Sequence, residues 1–178
     1  MIEKVFAAID AANAADPAGR ALLYGQRMSE ALGDAPELLQ IAARAQHIER
    51  WLIPRASYPE GRVAYLKWRK DLQHHHAKRA GELMREAGYS EADIARVGAM
   101  LCKERLKYDA EVQTLEDTIC LVFLKYEAPE FIAQHDDEKV RDILAKTAKK
   151  MSPRGLAEAS KLKLDERLER LLGEALGA

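Results

Sequence analysis

Little in this sequence bends, cross-links or anchors it. Cys102 and Cys120 lack the CxxC spacing of zinc or dithiol sites, and as lone thiols in apolar helical segments they read as small core residues. Only 6 prolines and 10 glycines occur, against 48% hydrophobic and 32% charged residues, a balance that excludes a disordered or loop-dominated chain. No apolar run is long enough to span a bilayer, and the opening Met1-Ile2-Glu3-Lys4-Val5-Phe6 is too charged for a signal peptide. A reducing cytoplasm is the expected compartment. The formal net charge of -1 gives no global reason to expect nucleic acid or an anionic membrane, although local patches remain open. HExxH, P-loop, GxSxG and GxGxxG signatures are all missing.

What remains is a chain of helix formers with no sustained alternation of β-branched residues, which predicts an all-α fold. At 178 residues one domain is the default. Helices are expected over about 2–12, 18–32 (stopped by Gly33), 36–52, 62–87 (stopped by Gly88), 90–106 (opened by Ser90 and Asp93) and 109–126. The run Ile119 to Leu124 is apolar on every side and predicts a central helix. Two or three amphipathic helices should follow Pro129, broken at Ser152-Pro153-Arg154-Gly155. Between Ile53 and Gly61 two prolines and a glycine predict a surface loop.

Polar residues occupy positions where apolar ones are expected. On a helical wheel Tyr65, Arg69, Leu72, His76, Ala80, Leu83 and Ala87 share one face, and Gln113 and Asp117 share another with Leu121 and Leu124. A buried Arg69 must meet a carboxylate, a ligand anion or water in a cleft. Asp117 is expected to coordinate a ligand or to pair with a base such as Arg69. His47, Arg50, Arg55 and Arg69 together would suit a phosphate or carboxylate. Lys103 and Lys107 lie one turn apart and, taken alone, read as solvated lysines. His74, His75 and His76 point about 100 degrees apart in a helix and cannot all serve one metal.

The order of elements from about Leu22 to Leu124 resembles the HD superfamily of helical metal-dependent phosphohydrolases. Ile41 to His47 looks like the helix bearing the His-Asp pair. His75-His76 with Ala80 to Tyr89 looks like the next histidine helix, and Leu115-Glu116-Asp117 looks like the distal Leu-x-Asp segment. The resemblance implies Asp117 as the closing metal ligand. The departures are specific: Tyr24-Gly25-Gln26-Arg27 holds no first histidine, Ile48 replaces the aspartate after His47, and Lys103 replaces a further histidine. Such a site should bind a hard divalent ion poorly. More closely, Tyr24 to Met28, Gln46 to Trp51, Ile53-Pro54-Arg55, Tyr65 to Arg69 and Leu115 to Asp117 resemble an uncharacterised family known only as domain of unknown function 4202. That likeness covers nearly the whole chain. It implies a single HD-like helical domain, with a core of about 18–127 and C-terminal helices over about 130–178, and no established activity.

The leading expectation is a cationic pocket for a small phosphorylated or otherwise anionic metabolite, nucleotides included, whose phosphoryl group the protein hydrolyses or transfers if it is an enzyme. Arg27, Arg50, Arg55, Arg69 and Lys103 would hold the anion, with Trp68, Lys107 and Gln113 in the ligand set. His47 or His76 would handle protons, and Asp117 would orient a histidine or a residual metal. A second enzymatic version keeps one divalent ion on His47, His75 or His76, and Asp117. The non-enzymatic alternative is an RNA- or protein-binding module on a catalytically degenerate HD fold, with nucleic acid not favoured. The oligomeric state is left open.

Overall fold

Helix formers, caps and terminal glycines yield ten α-helices and no strand among the described residues of the computed structural model, which covers residues 1–177. The all-α expectation holds. Two compact units divide inside the sixth helix, residues 1–112 and 113–178, and each is described by itself.

The first unit contains α1 (Ile2–Asn13), α2 (Arg20–Leu32), α3 (Glu37–Arg44), α4 (Arg62–Glu86), α5 (Glu91–Leu101) and the start of α6 (Ala110–Val122). Its core is filled by Val5, Ile9, Met28, Ile41, Ile48, Leu72, Met84, Val97 and Met100, all nearly or completely buried. Each such side chain contributes about 1.5–3 kcal/mol on leaving water. α4 and α5 pack closely enough that a Cβ on Gly81 would stand 2.9 Å from Ile94 Cγ2. Ser90 caps α5 by accepting from the Asp93 amide, as its sequence predicts.

Two helices end earlier than their periodicity suggests. α3 stops at Arg44 rather than Leu52, and the Gln46 and Ile48 amides turn to carbonyls three residues back while tertiary bonds hold both ends of the segment. Arg44 is drawn to Asp10 of α1 by two bonds of 2.8 and 2.6 Å, and the Glu49 amide donates to Asn13 Oδ1 at 3.1 Å. The chain from 45 to 49 is therefore a turn, with Glu49 left-handed at φ 54. α5 stops at Leu101 rather than Leu106 in a Schellman motif. The Glu104 amide donates to the Ala99 carbonyl and the Lys103 amide to the Met100 carbonyl, which puts Lys103 at φ 55. α4 ends the same way, the Tyr89 amide reaching Met84 and the Gly88 amide reaching Arg85, but there the left-handed position is filled by Gly88.

The second unit holds the rest of α6, α7 (Ala128–Ala133), α8 (Asp137–Lys150), α9 (Pro153–Ala159) and α10 (Glu166–Gly177) around a core of Cys120, Leu124, Ile132, Val140, Leu144, Leu168 and Leu171. The expected helix to Tyr126 widens into a π-helical turn over Phe123–Glu127. Pro129 explains the change, since it has no amide to offer the Lys125 carbonyl one turn back. No described helix is long and apolar enough to cross a membrane.

Candidate functional site

Three segments of the first unit build a cluster of imidazole and cationic groups: the 45–49 turn with the short 3-10 turn after it, the face of α4, and the loop after α5. His47 lies in the turn, not on a helix as its sequence suggests, and stacks flat on Tyr24 of α2 with ring centroids 3.8 Å apart. Its Nε2 lies 2.9 Å from Arg50 Nη1. A guanidinium can only donate, so Nε2 accepts and His47 is a neutral ring with its proton on Nδ1. Burial, then Arg50, His76, Arg69 and Lys103, hold its proton affinity well below the usual histidine range.

His76 stands 6.2 Å from His47, centroid to centroid, and is 4% exposed. Its Nδ1 lies 2.8 Å from the Ile48 carbonyl, which can only accept, so Nδ1 carries the proton. The lone pair is then on Nε2, which has no hydrogen-bond partner among the described residues. Burial is the main cause that pushes the His76 pKa down to about 4. The Ile48 hydrogen bond opposes the shift, and His75, Arg50 and Arg69 add to it.

The turn that positions these groups is held from outside the cluster. Glu49 carries a side chain where glycine is usual, and its carboxylate pairs with Arg79 Nε of α4. Trp68 donates from Nε1 to the Ile53 carbonyl at 2.8 Å, and Arg50 lies over its ring at 5.2 Å from the centroid. Gln46 Oε1 and His75 Nε2 are buried without hydrogen-bond partners among the described residues, His75 Nε2 lying 4.0 Å from Glu49. The loop bearing Lys103 is clasped by Arg96, which donates to Asp109 at 2.5 and 3.0 Å and to Glu111 at 2.6 Å. Asp109 in turn caps α6 through the Glu111 and Val112 amides.

A family described as a domain of unknown function, DUF4202, matches residues 3–172. The chain belongs to the DUF4202 family. No curated protein and no solved structure matches it.

Several residues expected in the site of this DUF4202 chain have other work. Arg55 donates to the Tyr58, Pro59 and Gly61 carbonyls, at 3.3, 2.7 and 3.5 Å, and so shapes its own loop. Trp68 anchors that loop. Lys107 is exposed. Arg27 is half-buried on α2, one turn after Tyr24. Arg69 is half-exposed and donates to the Tyr65 hydroxyl at 3.0 Å, so it needs no buried counter-charge.

In the second unit Asp117 is a cap holder. Its carboxylate accepts from the Ser152 amide at 2.8 Å, from the Ser152 hydroxyl, and from Gln113 Nε2 at 3.0 Å. Gln113 Nε2 also reaches the Lys150 carbonyl at 3.0 Å. Ser152 Oγ accepts from Gly155 N at 3.0 Å and opens α9, and a Cβ on Gly155 would fall 2.5 Å from Asp117 Cγ. Among the described residues no group of three or more His, Cys, Asp or Glu side chains is placed to hold a metal ion. The set His47, His75, His76 and Asp117 is therefore not gathered as a ligand shell. His75 faces Glu49 and Asp117 serves Ser152.

Sequence reasoning missed Tyr24, Asn13, Glu49 and Arg79. Tyr24 and Glu49 were within reach, because both lie in family-like strings. Asn13 and Arg79 act through tertiary bonds that leave no periodic trace.

Proposed function

We propose that the first unit binds a small phosphorylated or otherwise anionic molecule among His47, His76, Arg50, Arg69 and Lys103, and that it acts on the phosphoryl group. One observation carries the reading. Two closely equivalent helix ends in this chain use the same left-handed cap, and where α4 takes the unstrained Gly88, α5 takes Lys103. A non-glycine residue there costs about 1–2 kcal/mol. Strain of this kind concentrates at functional sites, and Lys103 is among the groups that depress His47. Neutral imidazoles beside guanidinium and ammonium groups can bind an anion and still accept or deliver protons.

On this reading the helices are a degenerate relative of the HD superfamily, supported by the order of elements and by the lysine in place of a histidine. The compartment is a reducing cytoplasm, which suits two cysteines that form no disulfide. The test is calorimetric titration of the full chain with pyrophosphate. Saturable binding weakened about tenfold or more by Arg69→Ala and by Lys103→Ala supports the site. No binding, or equal binding by wild type and both variants, refutes it.

The non-enzymatic reading retains one specific observation. The outer face of α4 exposes Arg62, Lys70 and Lys78, none with a carboxylate partner among the described residues. Salt-dependent RNA retention lost in Arg62→Glu/Lys70→Glu, with pyrophosphate binding absent, would favour that reading instead.

A further inference from the structure

The proposed anion site leaves the two imidazoles with unlike roles. His47 Nε2 is engaged by Arg50, so its lone pair is taken. His76 is the reverse case. Its Nδ1–H is fixed on the Ile48 carbonyl, its ring is packed between His47 and His75, and Nε2 has an unshared pair with no partner among the described residues. A ring held by one nitrogen, with the other free and cations nearby, is built to be a nucleophile toward phosphorus.

The geometry points to His76 Nε2 as the acceptor of a phosphoryl group, through a covalent phosphohistidine. This step rests on the anion-binding reading above. Nε2 gives its lone pair to phosphorus and an N–P bond forms as the bond from phosphorus to the leaving atom breaks. The leaving atom departs with that electron pair and takes up a proton. The phosphorylated ring keeps its proton on Nδ1 and becomes cationic, and the Ile48 carbonyl dipole stabilises that charge. Arg50 and Arg69 offset the charge of the phosphoryl oxygens. Water then attacks phosphorus, the N–P bond breaks, its electron pair returns to Nε2, the proton of the water passes to solvent, and inorganic phosphate leaves. Where another acceptor replaces water, the same intermediate transfers the group.

The probe is phosphoramidate, a small phosphoryl donor whose leaving group is ammonia, incubated with the full chain and followed by intact mass and peptide mapping. The expected result is one acid-labile, alkali-stable phosphoryl group on His76. It should be missing from His76→Asn, whose side-chain amide is placed to donate to the Ile48 carbonyl, and present in His74→Gln, a change at an exposed histidine of the same helix that has no part in the site. If the wild type binds pyrophosphate but gains no acid-labile phosphoryl group, or gains it on another histidine, the nucleophile assignment is wrong and the anion site stands. If the wild type binds no pyrophosphate, the anion site itself is wrong. Should His76→Asn fold poorly, the mapped position in the wild type decides the matter alone.

Discussion

Replacing Lys103 by glycine and, separately, by alanine isolates what its backbone costs from what its ammonium contributes. Both variants remove the charge and every contact of the side chain, so their difference reports the φ of 55 at the end of α5. Alanine must adopt the left-handed region at about 1–2 kcal/mol, whereas glycine enters freely and gives back about 0.5–1 kcal/mol through the greater freedom of its unfolded chain. The glycine variant should therefore be more stable than the alanine variant by about 1 kcal/mol, read as a shift of the urea midpoint at constant slope. Pyrophosphate affinity should fall equally in both. Loss of one charge-assisted contact is worth about 1.5–3 kcal/mol, or about ten- to a hundredfold in Kd. An alanine variant more stable than the glycine variant by about 0.5–1 kcal/mol, the unfolded-chain difference alone, would show that the backbone at 103 carries no strain. Undiminished affinity in both would show that the lysine is not there for an anion.

Two further outcomes follow from the geometry. Asp117→Ala orphans the Ser152 amide and unseats the cap of α9, which should cost about 2–4 kcal/mol in denaturant melts and leave pyrophosphate affinity unchanged; the opposite pattern would return Asp117 to the binding machinery. His76 has a folded pKa of about 4 against an ordinary 6.5, so the unfolded chain takes up its proton first. Its contribution to stability is complete above 6.5, declines as pH falls through that value, and is lost by about 4. Denaturation at stepped pH should show wild type losing stability relative to His76→Asn across that window, and parallel curves would refute the assignment of a buried neutral ring.

Helix identity and most helix starts were legible, because they depend on local signals. Ser90, Asp109 and Gly88 each do at the chain level what their position suggests. The face of α4 was also legible, with Leu72, His76, Ala80 and Leu83 all buried. Premature helix ends were not. The turn after α3 is fastened where Asn13, more than thirty residues away in sequence, accepts from the Glu49 amide, and no periodicity records that. The Asp117 expectation had a sound premise, a buried carboxylate, and failed on its partner. Ser152 was visible only as a helix breaker, and the close approach of Gly155 gave no reason to connect it to residue 117. His47 falls inside the expected helix of 36–52, which it does not join, yet its grouping with Arg50 survives, since a tight turn brings residues three apart together as a helix would.

Glu49 ties these threads to parts of the chain that touch no ligand. Its amide is held by α1 and its carboxylate by Arg79, three positions beyond His76 on the same helix. The rod that presents one imidazole thereby also tethers the bend that presents the other, so their separation is governed by a strut instead of by loop wandering. A mutational scan ranked by distance from bound anion would pass over Asn13 and Arg79, although changes there should alter turnover or affinity by letting the two rings drift apart.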